Sequence, residues 1–326
     1  MSLLTKLNLW GKAVALKRVS DEEIISAMKR LGSTKLAAEH VGMSVRALAQ
    51  RKAKIQMERG IPLPAYSAPQ ESKRNTYIPE NRRVIEHKVE NGHVFIASDC
   101  HYWPEESTVA HKAFVKLLTE FKSKTVILNG DVFDGARISR HAALMGTNPP
   151  TPKQEIEACQ DRLDEIANAS KNAIKLWTYG NHDIRLFNYI AQNAPELSEF
   201  SDLFAYFPGW HTGWRIDINA SVIIKHRFHN GVHSTWNNAL KSGRSIITGH
   251  LHQLKITPFS DYDGRRWGVD SGTLAEPYSD QFTYTEMNPV NWCSGFVVLT
   301  FENGKLLPPE LCEVIGGVAY FRGQRV

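Results

Sequence analysis

The chain of 326 residues has few cysteines and no pattern that would pair them. The four cysteines, Cys100, Cys159, Cys293 and Cys312, are scattered and form no Cys-x-x-Cys motif. Such spacing is typical neither of a disulfide-bonded extracellular protein nor of a zinc site built on thiolates. We therefore expect four ordinary reduced thiols.

Long apolar segments are also missing. No apolar run approaches the roughly 20 residues that a membrane-spanning helix needs. The N-terminus lacks the apolar core and small-residue cleavage site of a signal peptide. At 42% hydrophobic residues the chain can still bury a sizeable core, and its length favours more than one domain. These features predict a globular protein of the cytoplasm with no membrane partner, and they carry no signal for the oligomeric state.

Positive charge is concentrated in the N-terminal part of the chain, although the formal net charge is only +5. Residues 1–92 contain 17 Lys and Arg against 9 Asp and Glu, whereas the remaining residues contain 22 against 25. This asymmetry favours a polyanionic partner for the N-terminal part. A solvated basic surface without such a partner is the alternative.

Three short helices are predicted near the N-terminus. Ser20 and Glu23 form a capping box at the start of the first helix. A second helix is predicted over residues 33–40, Gly42 breaks it, and Ser44 caps a third helix with a basic outer face. Two short helices, a turn with glycine and a basic third helix resemble the helix-turn-helix family.

This resemblance implies DNA binding. The third helix of the motif lies in the major groove, so the side chains expected near DNA are Arg46, Gln50 and Arg51. A small helical hairpin that serves packing or oligomerisation is the alternative. We assign residues 1–62 to this small all-α domain and residues 63–90, which begin with a proline-rich stretch, to a basic linker.

Residues 91–326 alternate short apolar runs with helical stretches, which predicts an α/β domain. Helices are predicted over 106–122, 153–171 and 184–193. The apolar runs are typical of strands that are covered on both faces. Because metal-ligand residue types follow these runs, we expect the functional site at one edge of the sheet.

Five polar motifs follow the apolar runs in a fixed order. They are Asp99-x-His101, Gly130-Asp131-x-x-Asp134, Gly180-Asn181-His182-Asp183, His226 and Gly249-His250-x-His252. The set resembles the calcineurin-like metallophosphoesterases, whose motifs have these residue types in this order. The resemblance covers about residues 93–300, and residues 137–186 look most like phage-encoded members, which would place the protein in the host cytoplasm.

The resemblance implies a metallophosphoesterase-type layered α/β sandwich that holds two divalent metal ions. The ligands carried over are Asp99, His101 and His252 for a first ion, Asn181, His226 and His250 for a second, and Asp131 as a bridge. Carboxylate, imidazole and amide ligands suit Mn, which we favour, or Fe, Zn or Mg. Two such ions about 3.5–4 Å apart can hold a phosphoryl group and activate a water for in-line attack on phosphorus.

Two residues beside the metals have implied catalytic roles. His182 would protonate the leaving oxygen or stabilise phosphoryl charge, and Asp134 would hydrogen-bond His182 and fix its orientation. Many relatives have an arginine directly after the second motif, but here Gly135 follows Asp134. Arg137 or Arg185 would then bind the phosphate instead, and a surface position for each is the alternative.

The fourth motif is also unusual, because it is His-Gly in most relatives and extends here from His226 through His229. Position at a strand exit favours His226 as the ligand, and His229 is retained as a substrate-binding candidate. The three glycines that precede ligand residues are expected to let the backbone turn sharply: Gly130, Gly180 and Gly249.

The motifs together predict a metal-dependent phosphoesterase, and the basic N-terminal domain favours a phosphodiesterase or nuclease that acts on DNA. A phosphomonoesterase for protein or nucleotide phosphates, tethered by the N-terminal domain, stays open because the same metal pair serves both reactions. A non-enzymatic DNA-binding protein with a structural metal site is a further alternative. The presence of both His182 and Asp134 disfavours it, since a structural site does not need that pair.

Overall fold

The computed structural model describes residues 19–31, 33–61, 63, 84–139, 148–200, 202–286 and 288–326. The chain divides into two compact units, Met1–Ile78 and Pro79–Val326, and the predicted linker spans this division. Most of that linker, residues 64–83, lies outside the described residues. Within the described ranges, no helix is long and apolar enough to cross a bilayer.

The described part of the first unit contains three helices, with the bounds Asp21–Leu31 (α1), Thr34–Val41 (α2) and Val45–Arg59 (α3). A serine hydroxyl caps the start of each helix, because the first turn leaves backbone N–H groups without partners: Ser20, Ser33 and Ser44. Gly42 ends α2 in the left-handed conformation that glycine adopts without strain. The buried side chains of the three helices form one small core: Ile24, Ala27, Met28, Ala37, Ala38, Leu48 and Ile55.

The second unit is built on two sheets. Its strands are Val84–His87 (β1), Gly92–Ala97 (β2), Thr125–Leu128 (β3), Ile174–Thr178 (β4), His211–Gly213 (β5), Arg215–Ile218 (β6), Val222–Ile224 (β7), Ser245–Thr248 (β8), Lys255–Asp261 (β9), Gly264–Asp270 (β10), Gly295–Glu302 (β11), Lys305–Leu306 (β12), Glu310–Ile315 (β13), Val318–Phe321 (β14) and Gln324–Arg325 (β15). In the described part of the chain, one sheet has the order β1-β6-β7-β8-β10-β9. The other has the order β15-β14-β13-β11-β2-β3-β4-β5, with β12 paired to β11.

Among the described residues of this unit, four α-helices accompany the sheets: Val109–Phe121 (α4), Pro152–Ala169 (α5), Arg185–Asn193 (α6) and Ser234–Ser242 (α7). The first three lie where the sequence predicts helices. The helix α7 is not predicted from the sequence, because its buried face consists of small or polar side chains: Ser234, Thr235, Asn238 and Ala239. A helix with such a face lacks the apolar periodicity on which helix prediction depends.

Apolar side chains fill the space between the two sheets. Ile96, Ile127 and Val297 of the larger sheet share one core cluster with Ile224 and Ile247 of the smaller sheet. A second cluster lies on the other face of the larger sheet, where α4 and α5 pack. The helix α7 contacts β8, β9 and β10 of the smaller sheet. The predicted layered α/β sandwich is therefore confirmed, and it explains why the central strands read as continuous apolar runs.

The predicted linker ends too late. Val84–His87 lies within the range 63–90 but forms β1, which pairs in parallel with β6. Its side chains alternate between exposed and half-buried, as expected of a strand at the edge of a sheet. A short edge strand that contains Glu86 and His87 has no apolar run, so the sequence pattern could not distinguish it from a linker.

Parallel pairing brings several strand ends to the same edge. In the larger sheet, Ala97 of β2 lies opposite Leu128 of β3, which lies opposite Trp177 of β4. In the smaller sheet, Ile224 of β7 lies opposite Ile247 of β8. The polar residues that follow these five strands are thus placed side by side at the carboxyl ends, where open α/β sheets hold their ligands.

Candidate metal centre

The loops that follow β2 and β3 are joined by backbone hydrogen bonds. The Asp99 N–H donates to the carbonyl of Gly130 at 2.9 Å, and the His101 N–H donates to the carbonyl of Asp131 at 3.0 Å. In the smaller sheet, the loop after β8 is bound to that after β7 through the Gly249 N–H and the carbonyl of His226 at 3.0 Å. The ligand-bearing loops are therefore fixed to one another by the backbone.

Within the described ranges, three groups of side chains have potential ligand atoms within 4.8 Å of one another. They are Asp99, His101 and His252; Asp131, His226 and His250; and His101, Asp134 and His182. In the first group, Nε2 of His252 lies 3.0 Å from Oδ1 of Asp99. In the second, Nε2 of His226 lies 3.0 Å from Oδ2 of Asp131. These two groups contain the residues of the two implied ligand sets apart from Asn181.

Two buried ligand atoms have no hydrogen-bond partner among the described residues: Nε2 of His101 and Oδ1 of Asn181. A buried polar atom without a partner costs about 1–3 kcal/mol. Divalent cations would give these atoms partners and would also neutralise the two buried carboxylates. The donor set therefore fits divalent metal ions, which when bound supply Lewis-acid and water-activating chemistry.

Five of the ligand candidates have a left-handed backbone conformation, with φ between 43° and 73°: Asp99, His101, Asp131, His250 and His252. Residues with side chains rarely adopt this conformation, which costs on the order of 1–3 kcal/mol at each position. Such strain persists only where surrounding contacts fix the backbone, and it concentrates at functional sites. Here it directs side chains of successive strand ends towards a common point.

The charges of the centre are strongly coupled. Burial favours the neutral form of Asp99, but the neighbouring His252 and His226 outweigh it and hold the pKa of Asp99 at about 2. Burial lowers the pKa of His226, yet the carboxylates of Asp131 and Asp99 raise it to about 10. Burial and the charge of His226 lower the pKa of His250 to about 4. The two carboxylates thus stay ionised and attract cations.

His182 and Asp134 lie beside the first two groups and contact each other, as the resemblance implies. Nδ1 of His182 lies 2.6 Å from Oδ1 of Asp134, and Nδ1 of His101 lies 3.1 Å from the same oxygen. The Trp103 indole N–H donates to the other carboxylate oxygen at 3.3 Å. Arg185 donates to the Asp134 carbonyl at 2.9 Å and approaches Nε2 of His182 to 3.0 Å. These contacts engage both ring nitrogens of His182, Nδ1 by Asp134 and Nε2 by Arg185, and so fix the orientation of the imidazole.

Asp183 has a structural role that the sequence analysis did not assign. Its buried carboxylate accepts five hydrogen bonds of 2.8–3.2 Å, from the indole of Trp177 and from the backbone N–H groups of Asp131, Val132, Phe133 and Gly180. These donors belong to the loop after β3 and to the strand β4 and its loop. Asp183 therefore holds the backbone of two ligand-bearing segments, and only its place in the third motif could have indicated this.

The glycines of the motifs act in two ways. Gly130 has a φ of 82°, in agreement with the expected sharp turn. The same expectation is wrong for Gly180 and Gly249, which do not have positive φ. A Cβ at Gly180 would lie 2.1 Å from Oδ1 of Asp131, and a Cβ at Gly249 would lie 2.2 Å from Oγ of Ser98. Close approach of a neighbouring strand end, and not a turn, requires glycine at both positions.

Two predicted substrate-binding residues lie outside the three ligand groups. Arg137 donates to the carbonyl of Pro149 at 2.6 Å and is engaged by its own segment. The ring of His229 lies 4.4 Å from that of Phe228, and no ligand group includes it. The strand exit thus places His226 in the centre. Arg185 differs from Arg137 because it contacts both His182 and Asp134.

The predicted DNA-contact residues all lie on α3. Arg46 and Gln50 are exposed one helical turn apart. Arg51 donates to the carbonyl of Val19 and pairs with Asp21, so its guanidinium is engaged within the same unit. Arg46 and Gln50 are therefore the two exposed side chains of this set.

Comparison with known proteins places this centre in a family. A family model for calcineurin-like phosphoesterases matches residues 92–256, which contain all five motifs. The chain is similar to the gene 54 protein of Mycobacterium phage L5, with 28% identity over 229 residues that cover 63% of this chain and 88% of the relative. It is also similar to the gene 54 protein of Mycobacterium phage D29, with 31% identity over 165 residues that cover 42% and 60%.

Among solved structures, the chain is similar to an archaeal phosphodiesterase, with a TM-score of 0.36 and 16% identity over 68% of this chain and 99% of the other. The family match itself spans half of the chain and includes every side chain of the three ligand groups. The chain therefore belongs to the calcineurin-like phosphoesterase family and is a metal-dependent phosphoester hydrolase.

Proposed function

We propose that the chain is a phosphodiesterase or nuclease that acts on DNA and uses two divalent metal ions, with manganese as the first choice. One observation supports the preference for diesters: one depression includes a residue of the metal centre, and a second lies one contact away from it. One has a volume of about 410 Å³ and includes His226, and the other has about 570 Å³ and includes Trp103, which contacts Asp134. A phosphodiester has an organic group on each side of phosphorus, so it suits a centre with room at two places.

The first unit supports DNA as the substrate. It carries the excess of Lys and Arg, and α3 exposes Arg46 and Gln50. Arginine and glutamine side chains on an exposed helix can contact phosphates and the edges of bases. An anionic polymer would then be bound by one unit and hydrolysed by the other. Host cytoplasm as the location rests on similarity to phage proteins and belongs to the same proposal.

The catalytic roles rest on the contacts of three side chains. Asp134 holds Nδ1 of His182, and a protonated His182 would donate from Nε2 to the leaving oxygen once the substrate displaces Arg185 from that nitrogen. The guanidinium of Arg185 lies 3.0 Å from Nε2, so a phosphoryl oxygen placed there would accept from both groups. Manganese is favoured because the ligands combine carboxylate and amide oxygens with imidazole nitrogens and include no thiolate.

The test compares substrates, metals and variants. The purified chain with Mn, Mg or Zn is assayed on an aryl monoester, an aryl diester, and single- and double-stranded DNA. We expect the diester to be preferred over the monoester, and DNA to be cleaved. In His182→Gln, kcat should fall by about 10²–10⁴-fold on loss of the proton donor. His211→Gln on β5, with an exposed side chain, is the matched control and should retain wild-type kcat.

Two outcomes would redirect the proposal. Hydrolysis of aryl diesters without cleavage of either form of DNA would remove the nuclease assignment. Preference for the monoester would favour the phosphomonoesterase alternative. A His182→Gln variant that equals wild type on every substrate would remove the assigned role of His182.

A further inference from the structure

An aromatic depression opens beside the second ligand group. It has a volume of about 410 Å³ and is lined by Tyr179, Trp214, Lys225, His226, Arg227, Phe228 and Asn230. This volume is in the range of small-molecule binding sites. The lining residues come from the end of β4, from the link between β5 and β6, and from the loop after β7. Because His226 forms part of the wall, a group held in the depression lies next to the metal centre.

Two large aromatic rings of the depression are open to solvent. Trp214 is 37% exposed and Phe228 is 39% exposed. Tyr179 is half-buried: its hydroxyl lies 3.0 Å from Oγ1 of Thr212, and its ring packs edge to face with Trp214 at 5.2 Å. Tyr179 thus supports Trp214 from one side and leaves the tryptophan partly free. A supported, exposed aromatic ring is the kind of surface on which nucleobases stack.

Cationic side chains accompany the rings. Nζ of Lys225 lies 5.1 Å from the centre of the Phe228 ring, and Arg227 is exposed in the same loop. Arg215 and Arg227 both add positive charge around Lys225. Phosphate oxygens would be attracted to this cluster. The depression therefore combines the two features that a nucleotide needs, an apolar surface for the base and cations for the phosphate.

We propose that the aromatic depression holds one nucleotide of an unpaired strand next to the scissile phosphate. Its base lies against Trp214 and Phe228, and its phosphate is held by Lys225 and Arg227. The inference rests on the proposed function and narrows the substrate from DNA in general to single-stranded DNA. A base within a duplex is stacked and paired, so it cannot present its face to Trp214 unless it leaves the helix.

The experiment compares substrates that differ in whether they carry a base. Methyl para-nitrophenyl phosphate offers the diester without a base, and a short single-stranded oligonucleotide offers both. The readout is the ratio of kcat/KM on the oligonucleotide to kcat/KM on the methyl diester. In Trp214→Ala this ratio should fall by roughly 5- to 150-fold, because one stacked base is lost. Trp214→Phe retains an aromatic face and should recover most of the ratio.

A matched control uses another exposed tryptophan. Trp236 is 45% exposed and packs on Phe259, outside the depression, so Trp236→Ala should leave the ratio at the wild-type value. Arg227→Gln should lower the ratio and reduce the salt dependence of oligonucleotide binding, measured by fluorescence anisotropy. Circular dichroism melting checks the fold of each variant. If Trp214→Ala does not fold, the same ratio of kcat/KM values is measured for Phe228→Ala and Arg227→Gln and compared with wild type.

The outcomes separate this inference from the proposed function. If wild type cleaves single-stranded DNA but the Trp214 and Arg227 variants keep the wild-type ratio, the nucleotide site is wrong and the nuclease assignment stands. Cleavage of duplex DNA as fast as single-stranded DNA would overturn the restriction to unpaired strands. If wild type hydrolyses the methyl diester and neither binds nor cleaves DNA, both proposals fall. A preference for a phosphopeptide would overturn both as well.

Discussion

Replacement of Asp183 by asparagine tests whether one buried carboxylate holds two ligand-bearing segments together. Oδ1 of Asp183 accepts from the N–H groups of Val132 and Phe133, and Oδ2 accepts from Asp131, Gly180 and the indole of Trp177. An asparagine has only one acceptor oxygen, and its NH₂ group would face donors. Every donor on that side would lose its acceptor.

The magnitude depends on the number of donors. If the amide oxygen takes the position of Oδ2, the N–H groups of Val132 and Phe133 are left without a partner; in the opposite orientation three donors are left. Each unsatisfied buried donor costs about 1–3 kcal/mol. We therefore expect Asp183→Asn to lower the free energy of unfolding by roughly 2–6 kcal/mol. Removal of a buried negative charge offsets part of this loss, so the lower half of the range is the expected value.

Urea denaturation of the metal-free protein measures this loss, and isothermal titration with Mn²⁺ measures the accompanying loss of metal affinity. The control is Asp164→Asn, which removes a charge from an exposed position on α5 and should change the free energy of unfolding by less than about 0.5 kcal/mol. If Asp183→Asn were as stable as this control, Asp183 would not hold the two segments. Loss of Asp183 should displace the Asp131 backbone and with it the Asp131 carboxylate. A loss of stability without a loss of Mn²⁺ affinity would therefore also contradict the assigned role of Asp183.

Two further predictions concern packing and pH. Gly180→Ala should lower Mn²⁺ affinity at least tenfold in the same titration, because its Cβ would lie 2.1 Å from Oδ1 of Asp131; unchanged affinity would show that the strand end can move aside. Burial and the negative charge of Asp134 raise the pKa of Glu155 to about 8, from 4.5, so the native state binds this proton more tightly and stability falls as pH rises between these values. Urea midpoints between those pH values should fall less in Glu155→Gln than in wild type, and an equal fall would assign the pH dependence to other groups.

The sequence predicts the ligand-bearing strand ends because their signal is local. Each of β2, β3, β4, β7 and β8 is followed within three residues by a ligand residue, so strand and ligand are read from the same few positions. Position at the end of β7 also favours His226 over His229, and the structure places His226 beside Asp131. The contact between Asp134 and His182 was predicted only from the family resemblance. The two residues are 48 positions apart, so no local pattern indicates that they meet.

Features that depend on contacts between residues distant in sequence could not be predicted from local sequence patterns. The strand β1 is recognisable only through its pairing with β6. The aromatic depression combines Tyr179, Trp214 and Phe228, which come from three separate segments without a shared motif. The engagement of Arg51 by Asp21, 30 residues earlier, likewise requires the folded arrangement of α1 and α3. In each case the information lies in which elements become neighbours, and not in the periodicity of either one.

The same distinction explains how the metal centre remains in place. Five ligand residues have a left-handed backbone, and each costs on the order of 1–3 kcal/mol, so an isolated loop with these motifs would relax into an extended or helical conformation. The strained positions persist because parallel pairing fixes where each strand ends and because hydrogen bonds between loops, including those to Asp183, fix the residues after each strand. The ligand types are thus a property of the local sequence, whereas their convergence is a property of the sheet. A motif transplanted without its neighbouring strands should therefore keep its residues and lose its metal affinity.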